Sequence, residues 1–255
     1  MKIAVLLRQV PDVVEELVIA EDARSLAEDD VMYITNEADE HALEEALVLK
    51  ARHAARVTAI GVGGEEAKDA LAAAIAKGAD EAVFVPVPFE HRGDNHRLAS
   101  VLAPSMKAAG YDLILTGVWA ADQLDAGLAG LLGVRLSLPY VGGVVSVAVE
   151  APGTKGTVRK EYPGGRLAVL EVGLPAVLGG QSAEQPPRYV PVSKVAQAKR
   201  TLQLTELTEP TVLEMGVRPT KLLKSDPISR AEMLTGDVSQ VADQIVRLLR
   251  ERSLV

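Results

Sequence analysis

Three short loops carry the residue types from which a phosphate-binding pocket is built. They are Leu7–Asp12, Gly61–Gly64 and Gly117–Gly127, and each follows an apolar run of strand length. Glycine lets the backbone approach a phosphate, and the first turn of the next helix offers N–H groups with no intrahelical partner. One such loop is explained by packing alone; three at successive strand ends favour a nucleotide pocket. Its chemistry would be binding rather than turnover. Neither G-x-G-x-x-G nor G-x-x-x-x-G-K-[ST] occurs, which argues against a NAD-type site and against a P-loop.

The remaining reactive side chains offer less. Ser182 follows an apolar strand, as a hydrolase nucleophile does, but the nucleophile elbow needs glycine where Glu184 stands. His41, His53, His91 and His96 are scattered; they read as solvated surface residues, and no metal site is assigned. Asp122 and Asp125 would repel a phosphate in their loop, so they are read as caps of the helix at 126–132 or as ribose partners. Trp119, the sole tryptophan, suits core packing and ligand stacking equally. Glu161 lies between Arg159-Lys160 and Pro163-Gly164-Gly165, either in an ordinary hairpin or as a carboxylate that holds a guanidinium across an interface.

Residues of this kind need a frame, and the first two-thirds of the chain supplies one. Strand signals at Ile3–Leu7, Val57–Val62, Glu81–Val87 and Asp112–Thr116 alternate with helical spacing at Asp39–Arg52, Glu65–Lys77 and Arg97–Ala109. A further helix runs to Gly133. Asn36 stands where a cap of the first helix belongs, with Asp39 in its first turn. The order implies an α/β fold: a doubly wound, mainly parallel sheet with right-handed crossovers. Val141–Glu150, Thr157–Glu161 and Arg166–Val172 then read as strands that extend the sheet antiparallel. Past Pro187 the rhythm fades. Glu206–Pro227 reads as an extended arm and Ser239–Arg252 as an amphipathic helix. The expected division is a nucleotide-binding domain over 1–189 and a C-terminal arm over 190–255, which either folds back or wraps another subunit.

Leu174–Arg200 joins these parts. An apolar run ends at Leu178, a Gly-Gly break and a polar loop follow, and Pro186-Pro187-Arg188-Tyr189 makes a rigid turn. The prolines fix φ and donate no hydrogen bond, so this segment is neither interior strand nor interior helix. A rigid exposed loop suits meeting a partner better than performing chemistry.

Composition narrows the classes further. The chain has 255 residues, a net charge of −8, 48% apolar residues, 3% aromatics and no cysteine. A core of Ala, Val and Leu suits buried parallel strands under Ala-rich helices. The charge argues against nucleic-acid binding, and the missing thiols exclude disulfides, thiolate metal sites and cysteine nucleophiles. No run approaches the roughly 20 apolar residues of a spanning helix. No secretory pattern is seen, so the cytoplasm is the expected location.

Several of these segments resemble the small (beta) subunit of electron transfer flavoproteins. They are Leu6–Asp12 (LRQVPD after Leu6), the stretch from Asn36 to Lys50, Ala76–Asp80, Asp112–Asp122, Lys160–Gly165 and Leu174–Arg200, in order across about 200 residues. The resemblance implies an adenine nucleotide alpha hydrolase-like sheet in a heterodimer, with a structural AMP in this chain and FAD held mainly by a large (alpha) subunit. It implies electron transfer from dehydrogenases, such as acyl-CoA dehydrogenases, to a membrane quinone oxidoreductase, with no catalysis by this chain itself. Carried over by position, the AMP pocket would use Leu6, then Asn36, Glu37, Ala38 and Asp39, then Val62. It would also use Gly117, Val118, Trp119, Ala120, Ala121, Asp122, Gln123, Leu124, Asp125 and Ala126. The partner-binding set would be Glu161 with the recognition loop Gly180, Gln181, Ser182, Ala183, Glu184, Gln185, Pro186, Pro187, Arg188 and Tyr189. Two departures stand out. The Gly117–Gly127 loop is shorter than the family's and lacks its amide and hydroxyl phosphate contacts. Counting back from Arg188-Tyr189 without gaps, Glu184 replaces the usual apolar leucine. The alternative reading is a stand-alone adenine-nucleotide-binding regulatory domain; a hydrolase is disfavoured by the missing elbow and triad.

Overall fold

The computed structural model describes residues 1–123, 125–150, 153–207, 216, 219–224 and 233–255. The first strand, β1 (Lys2–Pro11), is buried from Ile3 onward. Its side chains alternate: Ile3, Val5 and Leu7 enter one apolar cluster, Ala4 and Leu6 another. A strand covered on both faces needs apolar residues on both, and this is why Ile3–Leu7 shows no alternation.

The chain continues through β2 (Tyr33–Thr35) and α1 (Glu37–His53) to β3 (Arg56–Gly63), and through α2 (Ala67–Lys77) to β4 (Glu81–Pro86). Helix α3 (Asn95–Ala109) leads back to β5 (Leu113–Gly117), followed by α4 (Leu128–Leu136). Then come β6 (Tyr140–Val149), β7 (Lys155–Tyr162), β8 (Arg166–Gly173), β9 (Ala176–Gly180), α5 (Val192–Thr201), β10 (Leu204–Glu206) and α6 (Val238–Glu251).

Among the described residues the strands form one sheet, ordered β10-β4-β3-β1-β5-β9-β6-β7-β8, with β2 paired antiparallel to β1. From β10 to β6 every neighbour is parallel; β7 and β8 close the edge as antiparallel strands. Helices α1 and α2 contribute Leu43, Leu47, Leu49 and Leu71 to one face. Helices α3 and α4 contribute Leu98, Leu102, Met106, Leu128 and Leu132 to the other. The fold is therefore the expected doubly wound α/β sheet. Each such leucine contributes about 1.5–3 kcal/mol by leaving water.

Several local expectations are corrected. Strand β6 joins β9 in parallel, so the antiparallel extension begins only at β7. Helix α4 runs three residues past Gly133 and is closed by Ser137, whose left-handed backbone donates its N–H back to Gly133 O and Val134 O. Asn36 precedes α1 but its side chain does not cap it; Nδ2 donates to the Trp119 carbonyl at 2.9 Å. Beyond Pro187 order returns: α5 packs on α2, and β10 adds a parallel strand beside β4.

The chain separates into two compact units, 1–222 and 223–255. The second is built around α6. Asp237 accepts a hydrogen bond from Gln240 N at 2.9 Å, and the Gln240 side chain accepts one from Asp237 N at 3.0 Å. This reciprocal cap starts the helix cleanly. No described helix is long and apolar enough to cross a membrane.

Candidate functional site

The direction in which the sheet grows reverses between β1 and β5. From β1 the chain builds outward through β3 and β4, then returns to place β5 on the other side of β1. Loops leaving the carboxyl ends of these two strands diverge and leave a crevice, the usual ligand position in open α/β sheets.

A buried ion pair ties that point together. Arg8 on β1 is 4% exposed and Asp39 in the first turn of α1 is 0% exposed. Arg8 donates to Asp39 from Nη2 at 2.7 Å and from Nε at 2.9 Å. It also donates to Gln123 Oε1 at 3.0 Å and to the carbonyls of Gly117 and Trp119 at 3.1 and 3.2 Å. Asp39 accepts in addition from Arg8 N at 2.9 Å and Gly117 N at 2.6 Å. Both charges are spent on the protein's own loops, so Arg8 is a brace rather than a phosphate ligand. An arginine inside an apolar strand sequence signals a buried carboxylate partner, but the signal does not say which one.

Beside this brace lies a cavity of about 420 Å³. Pro11, Leu17, Tyr33, Phe89 and Arg92 line it, with Ala121, Asp122 and Gln123 from the loop after β5. The Arg92 guanidinium lies 5.3 Å from the Tyr33 ring centre and 5.6 Å from that of Phe89. Arg92 Nη1 also stands 2.8 Å from Glu66 Oε1, an ion pair without hydrogen-bond geometry. The buried Tyr33 hydroxyl has no hydrogen-bond partner among the described residues, and burial pushes its pKa up. Asp122 is exposed by surface area, yet it stands in the concave wall with protein crowded around its carboxyl. That desolvation, against the pull of Arg8, pushes its carboxyl up to about 6.

The structure distributes the predicted pocket residues over two places. Ala121, Asp122 and Gln123 line the cavity. Leu6, Asn36, Ala38, Asp39, Val62, Gly117 and Ala120 are buried, while Glu37, Trp119, Asp125 and Ala126 are exposed and Val118 is half-buried. Leu124 lies outside the described residues. Trp119 is 55% exposed, which rules out core packing for it. Asp125 caps less than expected: it accepts from Gly127 N at 2.7 Å and from Asn95 Nδ2, and α4 has no side-chain cap. Tyr33 and Arg92 were not predicted. Neither belongs to the three loops at 7–12, 61–64 and 117–127, and only the fold brings them beside the loop after β5.

The loop at 181–189 is fastened to α1. Arg188 donates to Glu44 from Nη2 at 2.7 Å and from Nε at 2.8 Å, and its backbone N donates at 3.0 Å. Glu45 accepts from Glu184 N at 3.0 Å and, through its other oxygen, from Val147 N at 2.6 Å. Ala183 N donates to His41 Nδ1 at 3.3 Å, and Arg52 Nη1 lies 2.8 Å from Glu184 Oε2. His41 is therefore an acceptor for this loop and not merely a solvated residue. Burial pushes the Glu44 carboxyl up, but Arg188 more than offsets this and holds it below the ordinary range. Burial leaves Glu45 raised. Glu161, on β7, is exposed and lies opposite Leu167.

Comparison with known proteins agrees with this architecture. The profile described as the electron transfer flavoprotein domain matches residues 24–211. The electron transfer flavoprotein subunit beta of Clostridium acetobutylicum is 32% identical over 263 residues, covering 100% of both chains. Those of Bacillus subtilis and Methylophilus methylotrophus are 29% and 28% identical, covering 100% and 98% of each chain. With its sheet, its strand-end crevice and its full-length similarity, the chain belongs to the electron transfer flavoprotein family, as a beta subunit.

Proposed function

We propose that this small subunit binds AMP in the cavity beside the β1–β5 switch point and supports an FAD held mainly by a large subunit. The pair would carry electrons from dehydrogenases, acyl-CoA dehydrogenases among them, to a quinone oxidoreductase, in the cytoplasm. The unpartnered Tyr33 hydroxyl carries the nucleotide part of this reading. Tyr33 lines a mostly apolar cavity while its buried hydroxyl lacks a partner among the described residues, a combination that a ligand with one flat base and a few polar groups would suit.

The residues present fit AMP. Tyr33 and Phe89 offer aromatic surface for a base, Tyr33 Oη and Arg92 offer polar contacts, and Asp122 and Gln123 stand close enough to the same space to meet ribose hydroxyls. Leu6, Asn36–Asp39, Val62 and Gly117–Ala126 would form the floor and the loop around the nucleotide. AMP would supply no redox chemistry, whereas FAD supplies the electron-carrying chemistry of the heterodimer. This chain's own work is to hold its neighbour, shape the crevice and present the loop at 180–189. Glu161 on the antiparallel edge would meet a guanidinium of the large subunit, and within 190–255 the part beyond α5 and β10, which pack on this chain's own α2 and β4, would clasp that subunit.

Co-expression with the adjacent gene, with a tag on this chain alone, tests the proposal. A yellow complex with a second polypeptide that releases FAD and AMP on acid treatment is expected. A colourless monomer with ATP affinity would instead establish the stand-alone nucleotide-binding alternative.

A further inference from the structure

The loop at 181–189 has no regular secondary structure, yet four residues of α1 hold it. Glu44 and Glu45 are the two that are buried, 3% and 4% exposed, on a helix otherwise buried through Ala42, Leu43, Ala46 and Leu47. Neither carboxylate lines the cavity, and neither touches the Arg8–Asp39 brace. Each spends its oxygens on the loop: Glu44 on the Arg188 fork and Arg188 N, Glu45 on Glu184 N with β6 as its second contact. The base of the loop is fixed as well, since Gln181 N donates to Val144 O at 2.8 Å. Two buried carboxylates on adjacent helix positions both turn an oxygen to one external loop, and only Glu45 also serves the sheet, through Val147 N. Apolar residues there would fill the same space at lower desolvation cost.

We propose that Glu44 and Glu45 are positioning residues that hold this loop in one docking shape before a dehydrogenase arrives. A loop already fixed loses little conformational entropy on binding, so its anchors tighten the encounter without altering the electron-carrying centre. The contacts have the form this needs. The Arg188–Glu44 pair is a two-point, charge-assisted grip, and the Glu45 bonds go to backbone N–H groups, so they fix the path of the chain whatever its side chains. Between the two grips, Glu184, Gln185 and Pro186 are exposed, and Tyr189 beyond them is 83% exposed. This inference rests on the reading of 180–189 as the dehydrogenase-facing loop.

The test uses the purified heterodimer. Hydrogen–deuterium exchange over 181–189 is measured for Glu44→Gln, Glu45→Gln and the double variant. Electron transfer from an acyl-CoA dehydrogenase reduced by its acyl-CoA is followed as a function of flavoprotein concentration. Exchange in the loop should quicken on the order of tenfold while the rest of the sheet is unchanged. The KM for the flavoprotein should rise several-fold with kcat, FAD content and visible spectrum unchanged. Arg188→Lys keeps the charge but loses the fork, so it should fall between parent and double variant; it acts from the exposed side of the pair and serves if the glutamate variants fold poorly. Unaltered loop exchange in the double variant, or faster exchange with an unaltered KM, would overturn the positioning role. Replacing 182–185 by Gly-Ser-Gly-Ser separates the two ideas. If that replacement leaves KM unchanged, the loop does not meet the dehydrogenase and the underlying reading fails. If it raises KM while the glutamate variants do not, the reading stands and the anchors are merely structural.

Discussion

Asp39 and Arg8 face each other in a dry setting, 2.7 Å apart, and the Asp39 oxygen that receives Arg8 Nη2 also receives Gly117 N at 2.6 Å. One carboxylate thereby joins β1, the start of α1 and the end of β5, the three elements that frame the crevice.

Removing half of this pair leaves a buried charge with no counterpart. Asp39→Ala should lower stability by about 3–5 kcal/mol, read from urea unfolding. Arg8→Met combined with Asp39→Leu should cost clearly less than the sum of the single changes, because the pair acts as a unit. A loss within about 0.5 kcal/mol for Asp39→Ala would show that the brace is unimportant to the fold.

Gly117 is a steric requirement of the same junction. A Cβ there would stand 2.5 Å from Asp39 Oδ1, 2.7 Å from Ala38 Cβ and 2.8 Å from the Ala38 backbone carbon. Backbone on one side and a fixed ion pair on the other cannot yield cheaply. Gly117→Ala should cost about 1–3 kcal/mol and lower the melting temperature. An unchanged melting temperature would mean that α1 shifts without penalty.

Asp122 makes stability depend on pH. Its folded pKa is raised to about 6, above its unfolded value, so the fold favours the protonated form. That contribution is fully present below the unfolded pKa and is lost as pH rises through about 6. Asp122→Asn removes the ionised group, so its stabilising effect should be larger near about pH 7.5 than near about pH 4.5. Melting curves at both values check this; equal effects would place the carboxyl in ordinary solvent.

Glu184 and Arg52 are both about half exposed, a setting in which an ion pair contributes about 0–1 kcal/mol. Glu184→Arg should therefore leave the melting temperature nearly unchanged and retain FAD. It should slow electron transfer from the dehydrogenase, because it reverses a charge on the exposed part of the loop. Stopped-flow rates identical to the parent's would remove Glu184 from the contact surface.

Much of this protein was legible along the chain. The alternation of apolar runs with helical spacing predicted the doubly wound sheet, and Gly117–Gly127 and Leu174–Arg200 marked the crevice loop and the external loop. The residues between were less legible. Glu44 and Glu45 look like the polar positions of an amphipathic helix, and nothing near them in sequence shows that both are buried. Trp119 could have been core or ligand surface, and its exposure is a property of the folded loop. Tyr33 belongs to a three-residue strand whose partner is β1, too short for a periodicity signal.

Element types and the places where backbone could approach a phosphate are readable along the chain because they depend on patterns within about a dozen residues, and the family is readable from the order of such segments over about 200. Tertiary structure alone decided which charges meet. Arg8 finds Asp39 across 31 positions, and Arg188 finds Glu44 across 144. A buried charge states that it needs a partner, but its identity follows from crossovers that bring distant strand and helix ends together. Those same crossovers opened the sheet between β1 and β5 and set Tyr33 in the wall of the cavity beside it.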